Sequence, residues 1–261
     1  MNLPLPAASE AVNALMHLVA YAKSNEFAAR QHERTLQKAL DKGDARPEIL
    51  WLGLAAAACV LGKPEECVRC VRAALGIAPN DFTVVATAVA LYSNIGEMQL
   101  AEEQVWQMTR LSEPEDRPSL EVRVNMLRAA LNFEDSLDMM RKFGVSEDAQ
   151  IVQATKRFLE LTDKHSLSRE MRRELIRTAV GAVRAEKCAI RQTVLDDEYG
   201  DGSVRIELFV DETAERCGEV NRAIADALCE QFDDPVPEVV SFACRPISSF
   251  VFQGAFLKVQ G

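Results

Sequence analysis

Leu61-Gly62-Lys63-Pro64-Glu65-Glu66-Cys67 and Ile95-Gly96-Glu97-Met98-Gln99-Leu100-Ala101 decide the reading of this chain. Their glycines stand 34 residues apart, and the residues around them keep that offset: Leu54 with Ala88, Ala58 with Tyr92, Cys67 with Ala101, Val71 with Val105 and Ile77 with Leu111. Each copy reads as two helices joined by a glycine turn. Gly62 suits the left-handed residue that ends a helix, Pro64 suits the opening of the next, and Pro79 cannot continue it.

The first copy spans about Glu48 to Asp81, with Trp51 and Leu54 on its first helix and Cys67, Val71 and Ala74 on its second. The second spans about Phe82 to Glu115 and keeps Tyr92, Gly96, Ala101, Val105 and Leu111. Weaker copies flank them. Upstream, Leu15, Leu18 and Val19 precede Ser24-Asn25-Glu26-Phe27 and then Leu36, Ala39 and Leu40. Downstream, Leu120, Val124, Leu127 and Leu131 precede Asn132-Phe133-Glu134-Asp135 and then Leu137, Met140 and Phe143. A period of 34 residues with small residues at the turn and at the helix crossing resembles the tetratricopeptide repeat over roughly residues 10–145. Degenerate end copies are expected of a solenoid whose terminal units lack a neighbour on one face.

That resemblance implies a curved helical solenoid whose first helices line a concave face that grips a protein or peptide. Carried onto this chain, the face comprises Leu52, Ala56, Ala86, Ala90, Asn94, Glu121, Asn125 and Arg128. Relatives that clamp a C-terminal carboxylate carry Lys, Asn and Arg at such positions, where Leu52, Ala56 and Ala86 stand here, so the resemblance does not extend to that recognition. The groove reads as apolar at its centre and polar at the Asn94, Asn125 and Arg128 end. The alternative is that Leu52 and Ala56 only pack between neighbouring units.

The 261 residues are 48% hydrophobic and 27% charged, with a formal charge of −10, within the range of folded globular chains and long enough for two domains. An acidic chain without a basic stripe argues against nucleic-acid partners. No apolar run approaches a membrane span, and Met1 to Pro6 lacks the basic-then-apolar pattern of a secretion signal. Seven cysteines, mostly in apolar stretches, point to a reducing, cytoplasmic setting. Cys67-Val68-Arg69-Cys70 invites a metal reading, but no second half-site accompanies it, so packing is favoured and neither metal nor cofactor is expected.

After Gly144 the pattern changes. Ser146 to Thr162 and Ser168 to Ala185 read as capping or connecting helices within 146–187. From Cys188 the period falls to two, with Cys188 to Leu195 and then Val204, Ile206, Leu208 and Val210 as strands flanking an acidic turn. A helix follows with Cys217, Val220, Ile224 and Leu228 on one stripe, then strands over Val239 to Cys244 and Phe250 to Val259. The expected class is α+β, with helical repeats over 1–145 and a small ββαββ domain over 188–261. Asp197 and Asp201 sit at calcium-loop spacing, but Tyr199 and Leu208 occupy ligand places, which leaves a solvated hairpin turn.

Catalytic constellations are absent from the pattern: the three histidines lie in helical or hinge contexts, and no phosphate-cradling glycine loop occurs. The expectation is a non-enzymatic adaptor, chaperone or inhibitor; the alternative is a small enzyme or ligand-sensing domain at 188–261 targeted by the helical arm. Phe250, Phe252 and Phe256 share one strand parity and Val251 and Leu257 the other, so a tail strand would present apolar side chains to both faces of the sheet. Such a tail is expected to pack on the 146–185 helices or in a homodimer, the alternative being its own domain's core.

Overall fold

A computed structural model describes residues 7–43, 46–114, 117–197 and 201–251. Its helices run in consecutive packed pairs: α1 (Ala7–Ala20) with α2 (Glu26–Lys42), α3 (Pro47–Val60) with α4 (Pro64–Ile77), α5 (Phe82–Asn94) with α6 (Met98–Leu111), and α7 (Arg117–Ala129) with α8 (Phe133–Lys142). Then follow α9 (Gln150–Lys164), α10 (Arg169–Ala185), β1 (Ile190–Asp196), β2 (Val204–Val210), α11 (Ala214–Gln231) and β3 (Val240–Pro246). The class is α+β, predominantly helical with a small three-stranded sheet at the C-terminal end.

One backbone device closes the first helix of every pair. The turn residue takes a left-handed conformation at Ala22 (φ 51°), Gly62 (67°), Gly96 (81°), Leu131 (55°) and Ser166 (54°). Its N–H and the next one reach back to two carbonyls of the ending helix. Gly62 N–H donates to Cys59 O and Lys63 N–H to Ala58 O; Leu131 and Asn132 repeat this with Arg128 and Leu127, and Ser166 and Leu167 with Asp163 and Thr162. Carbonyls that a helix end would leave orphaned are thereby satisfied. The sequence signals only the two glycine copies, because an L residue accepts the left-handed region at a cost of roughly 1–2 kcal/mol and burial can offset it; Leu131 is fully buried. Ser166, outside the expected repeats, joins α9 to α10 by the same turn.

Helix α3 is the centre of the helical region. Every residue from Glu48 to Val60 except half-buried Trp51 is buried, because α1 and α2 cover one side and α4 and α5 the other. Small residues along Leu54-Ala55-Ala56-Ala57-Ala58-Cys59 allow that close approach.

In the sheet, β2 is central, antiparallel to β1 and parallel to β3. A helix between β2 and β3 is what a parallel pair requires, since no tight turn can join strands running the same way. Val204, Ile206, Leu208 and Val210 share one core with Cys217, Val220 and Ile224 of α11 and with Leu175, Ala179 and Val183 of α10. On the opposite face Glu207 pairs with Arg245 at 2.7 Å, and the Phe250 ring meets Phe209 edge-on at 5.3 Å. The outer edge of β3 is blunted by Asn221 of α11, whose amide donates to Cys244 O at 3.1 Å and accepts from Cys244 N–H at 2.6 Å, standing in for a neighbouring strand. The expected fourth strand is not seen at its start: Ile247–Ser249 form a 3-10 turn, and Phe250 and Val251 are not in a strand. The rest of that segment, with Phe252 and Phe256, lies outside the described residues.

The turns predict opposite responses to substitution. Gly62→Ala places a Cβ 2.8 Å from the Ala189 Cβ at positive φ, and should lower stability by about 1–3 kcal/mol. Exposed Ser166→Gly relieves the same conformational cost without a clash, and should raise stability by about 0.5–1 kcal/mol. Urea unfolding of the two variants beside the wild type checks both signs.

Candidate functional site

The residues expected to line a concave face separate into two groups. Leu52 and Ala56 are fully buried because α3 is enclosed by its neighbours, and Ala86, on α5, is 8% exposed and packs with Val85 and Met108; all three pack between helices and present nothing to a partner. Ala90, Glu121 and Asn125 are exposed and Asn94 is half-buried. On α5, Thr83, Ala86, Ala90 and Asn94 fall at helical spacing on one stripe, and on α7 Pro118, Glu121 and Asn125 form the corresponding stripe. The open part of the first-helix surface therefore lies on α5 and α7.

Arg128, expected at the polar end of that surface, is instead 5% exposed. Its guanidinium stands 5.2 Å from the centre of the Phe133 ring and donates through Nη2 to Asp197 at the end of β1. With Arg157 and Gly202 these residues border a cavity of about 10 Å³, room for at most one water. Gly202 is needed there, since a Cβ would come within 2.9 Å of the Arg157 carbonyl oxygen. Asp197 and Gly202 are thus in contact with the helices; the sequence signal there, a run of carboxylates, does not name Arg128 as the partner.

The same docking runs along the turns. Ala189 lies against Gly62, and Ile190 and Val180 lie 3.1–3.4 Å from where a Gly96 Cβ would stand. The Gln192 side chain donates to Val19 O at 2.7 Å, and Arg184 donates to Ile95 O at 3.0 Å. Strand β1 accordingly lies across the ends of the first helices, from the α1 and α3 turns at Ala189–Gln192 to α7 at Asp197. Helix α10 is fixed beside it by charge: Arg169 bonds Asp135 at 2.9 Å, Arg173 bonds Glu102 at 3.0 Å, and Arg172 bonds Glu134. Glu102, 3% exposed, also accepts from Asn132 at 2.7 Å, which satisfies a carboxylate that would otherwise be costly to bury.

Cys67 and Cys70 are buried in the helical core. Burial pushes the Cys59 thiol up to about 11 and the Cys70 thiol up to about 12, the latter with help from the Glu66 carboxylate, so both are protonated at neutral pH. Among the described residues no group of three His, Cys, Asp or Glu side chains is arranged to hold a metal ion, and no helix is long and apolar enough to cross a membrane. Phe250, the one residue of the expected tail interface that is described, rests against Phe209 of the sheet. No family model matches the chain, and neither a curated protein nor a solved structure matches it.

The Arg128–Asp197 contact should be worth more than a surface pair, because the arginine is desolvated. Asp197→Ala leaves that charge buried and should cost about 1–3 kcal/mol. Adding Arg128→Met should recover part of the loss, a coupling that a double-mutant cycle in urea measures.

Proposed function

We propose that this chain is a non-enzymatic protein-binding module of tetratricopeptide-repeat type, which holds a protein or peptide on the exposed stripes of α5 and α7. The observation that carries the reading is the contrast between equivalent first helices: α3 is buried on all sides, whereas α5 and α7 keep Thr83, Ala90, Glu121 and Asn125 exposed. A first helix that needed only to pack would have no reason to carry this open stripe of small and polar residues. The small side chain at Ala90 would let a partner backbone approach closely, and Asn94, Asn125 and Glu121 would supply polar contacts. The C-terminal domain, bound along the turn edge, would fix the relative angles of the pairs and so pre-organise the surface.

Ala90→Arg combined with Asn125→Arg tests this. Both sites are exposed, so the variant should fold with an unchanged melting curve. Proteins captured by the wild type from extracts of its native cells and quantified by mass spectrometry should fall about tenfold or more with the variant. Unchanged capture of every specific partner would overturn the assignment of the surface.

A further inference from the structure

The C-terminal domain brings together thiols that are far apart in sequence. Cys217 lies at the end of the first turn of α11, Cys244 lies on β3, and both are 3% exposed. Both side chains lie in the one core shared by α11 and the sheet. Cys188, 5% exposed, lies in the α10–β1 connection and joins the same core. Asn221, one turn beyond Cys217, grips both the N–H and the C=O of Cys244, so the facing of α11 and β3 at this point is held by backbone as well as by packing. All three cysteines are free.

We propose that Cys217 and Cys244 are a thiol pair that closes to a disulfide under a hydroperoxide oxidant, stapling α11 to the edge strand β3. Cys217 is the attacking sulfur. It lies near the N-terminal end of an 18-residue helix, which favours its thiolate. The thiolate attacks one peroxide oxygen, the O–O bond breaks, and the other oxygen leaves as an alcohol or, from hydrogen peroxide, as water after taking a proton. The Cys244 sulfur then attacks the resulting sulfenic sulfur; the S–O bond breaks and the oxygen departs as water with the Cys244 proton. Two thiols lose two electrons and two protons, and the peroxide gains them. Burial beside the Glu212 carboxylate raises both thiols above the usual cysteine range, which makes the reaction slow in the closed fold. β3 is an edge strand, and its local opening is the smallest motion that exposes the pair.

The full-length folded protein, treated with hydrogen peroxide, alkylated and digested without reduction, reads the outcome directly. The expected result is a Cys217–Cys244 linked peptide lighter by about 2 Da than the two free peptides together. It should persist in Cys188→Ser and in Cys229→Ser, which removes the exposed thiol of α11, and it should disappear on reduction. The oxidised protein should also unfold at higher urea, because the bridge constrains the unfolded chain, and the shift should reverse with reductant. Three results overturn the proposal: oxidation confined to Cys229 or to dimers linked through it, a Cys217–Cys244 peptide formed only after unfolding in urea, or a bridge of Cys188 to either partner in its place.

Discussion

The left-handed turn that closes each first helix is the constraint on which the rest of the structure depends. It ends α1, α3, α5, α7 and α9 with the same pair of reach-back hydrogen bonds, so the chain reverses in the same way each time and the turns can form one edge. Where that edge must be shallow it is built from glycine. Gly62 leaves room for Ala189, and Gly96 leaves room for Ile190 and Val180. A side chain at either place would oppose the turn and the docking of the sheet together, so helical region and sheet share these residues as common structure.

Charge completes what the turns begin. Arg169, Arg172 and Arg173 on one end of α10 reach carboxylates of α6 and α8, while the same helix packs its apolar side on α11. Helix α10 is therefore bound to both halves of the molecule: it follows α9 through a repeat-type turn and supplies core to the sheet domain. The buried carboxylate of Glu102 is acceptable only because Asn132, Arg169 and Arg173 all converge on it. Removing one of these donors weakens the solvation of the rest, so the network acts as a unit.

Much of the fold is legible in the residues. The two glycine copies, the alternation Val204-Ile206-Leu208-Val210 and the stripe Cys217-Val220-Ile224 each carry a period that one element alone satisfies. Ala22, Leu131 and Ser166 do not announce left-handed turns, because their identity reflects burial or exposure, while the conformation is imposed by the hydrogen bonds. The surface was only half legible. Helical spacing gives the stripe to which Leu52, Ala56, Ala90 and Asn125 belong, but exposure depends on what else covers the helix, and nothing local to α3 says that four helices enclose it. Arg128 shows the same limit: its partner Asp197 lies 69 residues on, in a hairpin whose own pattern is that of a solvated turn.

Hydrogen exchange on the intact protein tests most directly whether turn edge and sheet form one structural unit. The account predicts that amides of β1, of the turns at Lys63 and Glu97, and of α10 become exposed through the same opening, with matching free energies and matching response to low denaturant. A sheet whose amides exchange through a separate, much lower-energy opening while the turns stay protected would contradict it, since β1 would then lie beside the helices without being built into them.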